Sequence, residues 1–355
     1  MVHYIFPSVR SNLKLERRCP HCHRIGGNKH SRIHYRAVSD IKVHAIAQQR
    51  MKCPYCRTTW TIRVQGIGHG RQRSDRLITM GVFLYMLGLS YRAVESFLLA
   101  FEWKGSKSSV ERDVAQAGQK AKVLHTQAPA THVRILGVDG TGAKMAGQNA
   151  GLLFFVDIER QQLLCVEPVK ETDTQRVRRH VRRVMAMFGA EQLRTDELSV
   201  YDHIVAEPMR QVCIAHWLKS KCKRAWDLAR QFRAEGMLYE AETMLELKAL
   251  LHRYRHSPDV PVEIERLVRR FINCRKGLLW KANQLLQHIE RTWSRVSRDP
   301  FDGTNNTTER VIGLTYKIRA KTMRGFKNLE KALAHSYLAQ FIRGTEGFCD
   351  FSKVV

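Results

Sequence analysis

Three acids in the chain have the types and settings that phosphoryl chemistry needs. Asp139 ends the apolar run Val133–Val138 and is followed by Gly140 and Thr141. A carboxylate there stands at a strand end, and its small neighbours leave room for a phosphate. Asp196 ends a second short run, Leu193–Thr195. Glu309 follows Asn305-Asn306 in a stretch that reads as a helix and can face both aspartates. Transferring a phosphoryl group needs cations that hold the attacking and leaving oxygens in line and absorb charge on the phosphate. Mg²⁺ does this from a few carboxylates, with positions left open for substrate. Taken alone, a strand-end aspartate is more often a turn or cap residue. The order strand Asp, strand Asp, helix Glu, in a basic chain, makes Asp139, Asp196 and Glu309 one expected site for Mg²⁺. Asp157 reads as a turn residue, Glu171 and Asp173 as caps, and Glu197 and Asp202 as competitors of Asp196.

A second constellation lies near the N-terminus. Cys19-Pro-His-Cys22 and Cys53-Pro-Tyr-Cys56 are two Cys-x-x-Cys knuckles that can place four thiolates around one structural Zn²⁺. The alternative is a redox pair. Arg32–Tyr35 and Met51–Lys52 are strand-like and can build a β-ribbon between the knuckles. His21, His23, His30 and His34 read as surface residues, because four cysteines already complete the site.

The elements that position these groups follow from periodicity. Gly66–Arg76 is rich in glycine and charge and reads as a flexible linker, with Arg71 and Arg73 lying along phosphates. Residues 74–122 read as three helices. Gly88 stops the first, Ser90 caps the second, and Ser108-Ser-Val-Glu111 is a capping box for the third. Three short helices in a basic setting suggest a helix-turn-helix over 66–128, after a zinc ribbon over 1–65. From Val133 the texture turns to strands: Val133–Val138, Gly151–Val156 and Gln162–Val169. An arginine-rich helix, Thr172–Phe188, comes next. Strand Leu193–Thr195, helix Val200–Glu207 and strand Gln211–Ile214 complete the series. This is an α/β class, and its order is that of a ribonuclease-H-like fold over 129–216. Residues 217–300 read as an all-helical insertion, and 301–355 as the last part of the core with the Glu309 helix.

Bulk composition narrows the partners. The 355 residues carry a formal net charge of +27 and are 44% hydrophobic. A chain with a core and this much positive charge reads as a nucleic-acid binder. The first 130 residues hold 22 lysines and arginines against 7 acids, the densest basic region. The longest apolar stretch, Met80–Leu89, is too short to span a bilayer, and Met1–Arg10 has no apolar segment of signal-peptide length. A soluble, cytoplasmic protein is expected.

Taken together, Gly137-Val-Asp139-Gly-Thr, Thr195-Asp196, Cys213-Ile-Ala-His216 and Asn305-Asn-Thr-Thr-Glu309-Arg resemble a DDE transposase of a bacterial insertion sequence. The Cys-x-x-His is similar to a motif of the Mutator-like branch. The basic tail Lys317–Phe326 resembles the stretch that follows the glutamate in such enzymes. The resemblance implies that Asp139, Asp196 and Glu309 bind two Mg²⁺ and cut at transposon ends. The freed 3′-hydroxyl would then join to target DNA. It implies double-stranded DNA as partner, a homodimer or higher oligomer in synapsis, and association with the nucleoid. Cys213 and His216 would be near-site residues, with His216 either touching DNA or only lying beside it. Trp217 is either buried or stacked on an unpaired base. Arg319, Lys321, Arg324 and Lys327 would contact phosphates. Two rivals remain: a zinc-ribbon DNA-binding regulator without catalysis, and a nuclease that cuts without joining.

Overall fold

The structure is a computed structural model. It describes residues 2–11, 17–62, 64–128, 131–145, 148–206, 209–253, 260–270, 277–296, 305–323, 326–344 and 347–355. The chain divides into two compact units. One comprises Met1–Pro129, Lys144–Gly147 and Leu314–Val355, the other Ala130–Ala143 and Gln148–Gly313.

Short strands open the first unit: β1 (His3–Ile5), β2 (Arg10–Ser11), β3 (Asn28–Lys29), β4 (His34–Ala37), β5 (Ala45–Gln48), β6 (Arg50–Lys52), β7 (Thr59–Thr61) and β8 (Val64–Gln65). β6 pairs antiparallel with β3 and with β7, and β4 pairs with β5. Their apolar burial is small, with Val38, Ile46 and Val64 at its centre.

Three serines then start three helices: α1 (Asp75–Met86), α2 (Tyr91–Ala100) and α3 (Lys107–Gln127). Ser74, Ser90 and Ser106 each accept a backbone N–H three residues on. Each bond satisfies a donor that the helix end leaves orphaned, worth about 1 kcal/mol. The third helix differs from its expected start at Ser108. Glu111, the acid of that expected box, pairs instead with Lys331 at 2.5 Å. The segment 66–76 is packed rather than a loose linker. Asp75 N donates to Gly66 O, Arg76 donates to Pro7 O, and Ser74 bonds the buried Asp40.

The second unit is built on one sheet. Its strands are β9 (Ile135–Met145), β10 (Gln148–Asp157), β11 (Gln162–Glu167), β12 (Gln192–Thr195) and β13 (Arg210–Val212), in the order β11-β10-β9-β12-β13. β10 and β11 are antiparallel, whereas β12 runs parallel to both β9 and β13. Leu152 through Val156 are fully buried, so β10 reads as a continuous apolar run rather than an alternating one. Helix α4 (Thr174–Phe188) lays Val177, Val181 and Val184 on the strand residues Leu136, Val138, Leu153 and Phe155. Its arginines look elsewhere. Arg178 donates to Val200 O, Arg182 to Ile204 O and His203 O, and Arg183 pairs with Glu167. The helix expected over Val200–Glu207 is a single 3₁₀ turn, Ser199–Tyr201, among the described residues. Arginine side chains take carbonyls there that a helix would have paired.

Four helices follow among the described residues: α5 (Ile214–Ala234), α6 (Leu238–His252), α7 (Val260–Arg270) and α8 (Gly277–Val296). Ala241, Met244 and Leu251 of α6 and Ala282, Leu285 and Ile289 of α8 meet in one core. Trp217 is fully buried in that core, and its Nε1 donates to Thr292 Oγ1 at 2.9 Å. Base stacking by Trp217 is thereby excluded. Helix α9 (Asn306–Ile312) carries Glu309.

The chain from Leu314 groups with the N-terminal helices in the first unit, and its Phe326 N–H donates to Lys144 O at the end of β9. Its elements are α10 (Ile318–Thr322), α11 (Leu329–Ile342) and β14 (Phe348–Asp350), the last parallel to β1. Helix α11 lies close against α3. A Cβ on Gly118 would come 2.8 Å from Ala334 Cβ, so only glycine allows this approach. Among the described residues, no helix is long and apolar enough to cross a membrane.

Candidate functional site

The four knuckle cysteines converge. The sulfurs of Cys19 and Cys56 are 3.6 Å apart, those of Cys22 and Cys53 3.5 Å, and all four lie within 4.8 Å of one another. Four thiolates about 2.3 Å from a tetrahedral Zn²⁺ are separated by about 3.8 Å. The two knuckles fold alike. His23 N donates to Cys19 O and Arg57 N to Cys53 O, and both residues take positive φ, 57° and 59°. The Thr58 hydroxyl and N–H pull the Cys56 thiol down to about 5. The Arg24 N–H favours the Cys22 thiolate, but burial and the three other sulfurs push that thiol up to about 11. Crowded thiols resist ionising together until a cation compensates them, so this cluster can hold zinc. His21, His23, His30 and His34 are exposed, as expected.

The acids are gathered by the sheet. Arg194 of β12 is level with Gly137 of β9, and continuing that parallel register sets Asp196 level with Asp139. Gly137 and Asp139 share one face of β9, since strand side chains alternate. On that face a Cβ at Gly137 would overlap Thr308 Oγ1. Helix α9 therefore packs over the face that presents Asp139, and brings Glu309 with it. Asp139 is 9% exposed, whereas the Glu309 side chain is 41% exposed. Burial raises the Tyr201 phenol far above its usual range, and the charges of Glu171, Asp139 and Asp196 raise it further. Asp139 and Asp196 thus act on the same phenol.

His216, in the first turn of α5, spans the other two acids. Its Nδ1 is 3.0 Å from Asp196 Oδ1 and its Nε2 is 3.2 Å from Glu309 Oε1. Cys213 holds this arrangement from below. Its N–H donates to Thr195 O, and its buried sulfur accepts the Asn305 N–H at 3.1 Å. Asn305 O in turn accepts the Glu309 N–H at 3.0 Å. Burial raises the Cys213 thiol above its usual value.

The competing acids are occupied elsewhere. Glu197 bonds Lys221 at 2.5 Å and His288 at 2.6 Å. Burial opposes its ionisation, yet these two partners hold its carboxyl below the usual range. Asp202 pairs with Arg210, and Asp157 accepts the N–H groups of Glu159 and Arg160 as a turn residue. Asp173 caps α4, whereas Glu171 bonds the Tyr201 hydroxyl instead of capping. Sequence reasoning missed Tyr201, Lys221 and His288. The last two lie 24 and 91 residues from Glu197, so no local pattern points to them.

The expected phosphate contacts divide. Arg319 is a correction. It is 6% exposed, its guanidinium donates to Gly88 O and Leu89 O at 2.7 and 2.9 Å, and it stacks 4.0 Å from the Tyr85 ring. Arg73 is held in a two-bond pair with Asp113, which takes up its charge. Arg71, bonded to Gln116, and Lys321 and Lys327 are exposed. Arg324 lies outside the described residues.

No protein-family model matches the chain, and no curated protein matches it.

Proposed function

We propose that this chain is a DDE-type DNA transposase, with a ribonuclease-H-like catalytic core, that cleaves transposon ends and joins the 3′-hydroxyls to target DNA. The observation that carries the reading is His216, held between Asp196 and Glu309 at 3.0 and 3.2 Å. One side chain thereby ties the second and third acids of the motif into a single site. Further support comes from the strand order β11-β10-β9-β12-β13, with Asp139 on the central strand and Asp196 at the end of its parallel neighbour.

The donor chemistry fits a hard divalent cation. Asp139, Asp196 and Glu309 are all carboxylates, and Asp196 and Glu309 already take a nitrogen base between them. These three residues would hold Mg²⁺, which would supply charge neutralisation on the scissile phosphate. Cys213 sets the distance between the Asp196 strand end and the Glu309 helix. Exposed Arg71, Lys321 and Lys327 engage DNA phosphates. The cysteine cluster and helices α1–α3 recognise the transposon ends, and two chains at least assemble on a pair of ends.

A DNA substrate bearing the inverted repeats that flank the gene tests this reading. Mg²⁺-dependent cleavage at the repeat, followed by joining to a target duplex, supports it. Cleavage without joining would make the chain a nuclease. Binding to the repeat with no cleavage would make it a regulator.

A further inference from the structure

The donors that converge at Asp196 are of three chemical kinds. His216 Nδ1 lies 3.0 Å from Asp196 Oδ1 and 3.2 Å from Cys213 Sγ. Oxygen, sulfur and nitrogen all lie within 4.8 Å of one another. A single proton on Nδ1 cannot serve a carboxylate and a sulfur well at once. A cation 2.0–2.3 Å from each, roughly the ligand distances of Zn²⁺, satisfies all three.

The other ring nitrogen supports the same arrangement. His216 Nε2 is 3.2 Å from Glu309 Oε1. A metal-bound imidazole is characteristically held this way, with one nitrogen on the metal and the other N–H on a carboxylate that fixes the tautomer. Cys213 is fully buried, while the side chains of Asp196 and His216 are 23% and 40% exposed. Three ligands are therefore backed by the core, and the fourth side faces solvent.

We propose that Asp196, Cys213 and His216 form a site for a thiophilic divalent cation such as Zn²⁺, separate from the four-cysteine cluster. The cation replaces the thiol proton, which leaves to solvent, and the sulfur, oxygen and Nδ1 each donate a lone pair. Mg²⁺ prefers octahedral oxygen donors and is not selected by this set. Binding here does not depend on the transposase reading. Only the consequence rests on it: a cation in this site engages Asp196 and removes it from the three acids, so Zn²⁺ inhibits the Mg²⁺-dependent reaction.

The test is metal stoichiometry on the full chain, saturated with Zn²⁺ in excess Mg²⁺ and desalted. The native chain should hold two zinc ions. His216→Ala and Cys213→Ala should each hold one, and Cys19→Ser should keep one. In the Cys19→Ser chain, Co²⁺ in place of zinc should show a thiolate-to-cobalt absorption band that His216→Ala abolishes. Cys213 is buried and its alanine variant can misfold, so the half-exposed His216 carries the decision. One zinc in the native chain, or two in His216→Ala, overturns the site. Two zinc ions in a chain that still fails to cleave DNA in Mg²⁺ once the second zinc has been stripped uphold the site and remove the transposase reading instead.

Discussion

The backbone N–H of Asn305 donates to the buried sulfur of Cys213 at 3.1 Å, joining two residues 92 positions apart in the chain. Cys213 also donates its own N–H to Thr195 O, next to Asp196. Asn305 O receives the Glu309 N–H one helical turn on. A single side chain thus sets the spacing between the strand end that carries Asp196 and the helix that carries Glu309.

Cys213→Ala removes that acceptor and leaves the Asn305 N–H buried without a partner. A loss of about 1–3 kcal/mol in unfolding free energy is expected, read by chemical denaturation. Cys213→Ser keeps an acceptor and should lose less. In a cleavage assay both variants should lower kcat more than they raise KM, because the acids move while the DNA-binding surface does not. Equal stability of the alanine variant and the native chain would show that the bond carries no weight.

Gly137→Ala tests the packing of the Glu309 helix on the sheet. The new Cβ overlaps Thr308 Oγ1 and comes 3.0 Å from Ile158 Cγ1. Overpacking of this kind destabilises by about 1–3 kcal/mol. Adding Thr308→Ala removes the closest clash and should recover part of the loss. A double-mutant cycle with no coupling would place α9 elsewhere.

Glu197 gives a pH-dependent prediction. Its folded pKa lies below the ordinary 4.5 because His288 and Lys221 outweigh burial. A depressed carboxylate contributes stability above its unfolded pKa and loses it as pH falls through the folded value. Glu197→Gln should therefore be less stable than the native chain at pH 7, and the gap should narrow as pH falls below about 4.5. Urea midpoints at pH 7 and below pH 4 measure it. A gap that stays constant across that window would contradict the pairing.

The cysteine cluster predicts metal dependence. Cys53→Ser should release zinc, loosen β6 and its neighbours, and weaken binding to transposon ends. Metal analysis together with a DNA-binding titration reads both effects. Loss of zinc with unchanged DNA affinity would separate the cluster from recognition.

Much of this was legible in the sequence where local chemistry decides. Ser90 caps α2 as its position predicts, and the Cys-x-x-Cys spacing brings four sulfurs together. The strands of the sheet follow from apolar runs such as Leu152–Val156. What failed depended on distant partners. Glu111 serves Lys331 rather than a helix cap, and Arg319 stacks on Tyr85 rather than facing phosphate. Val200–Glu207 has helical composition, but Arg178 and Arg182 claim carbonyls of that segment from another helix. The spanning of Asp196 and Glu309 by His216 also joins residues remote in sequence, which no spacing rule encodes.

The most direct measurement is Mg²⁺-dependent end cleavage by Asp139→Asn, Asp196→Asn and Glu309→Gln, with end binding followed in parallel. Each substitution keeps size and removes charge. The expected result is loss of cleavage in all three, by about 100-fold or more as for other groups that stabilise transition-state charge, with end binding retained. Native-level cleavage by any one of them would contradict the three-acid site.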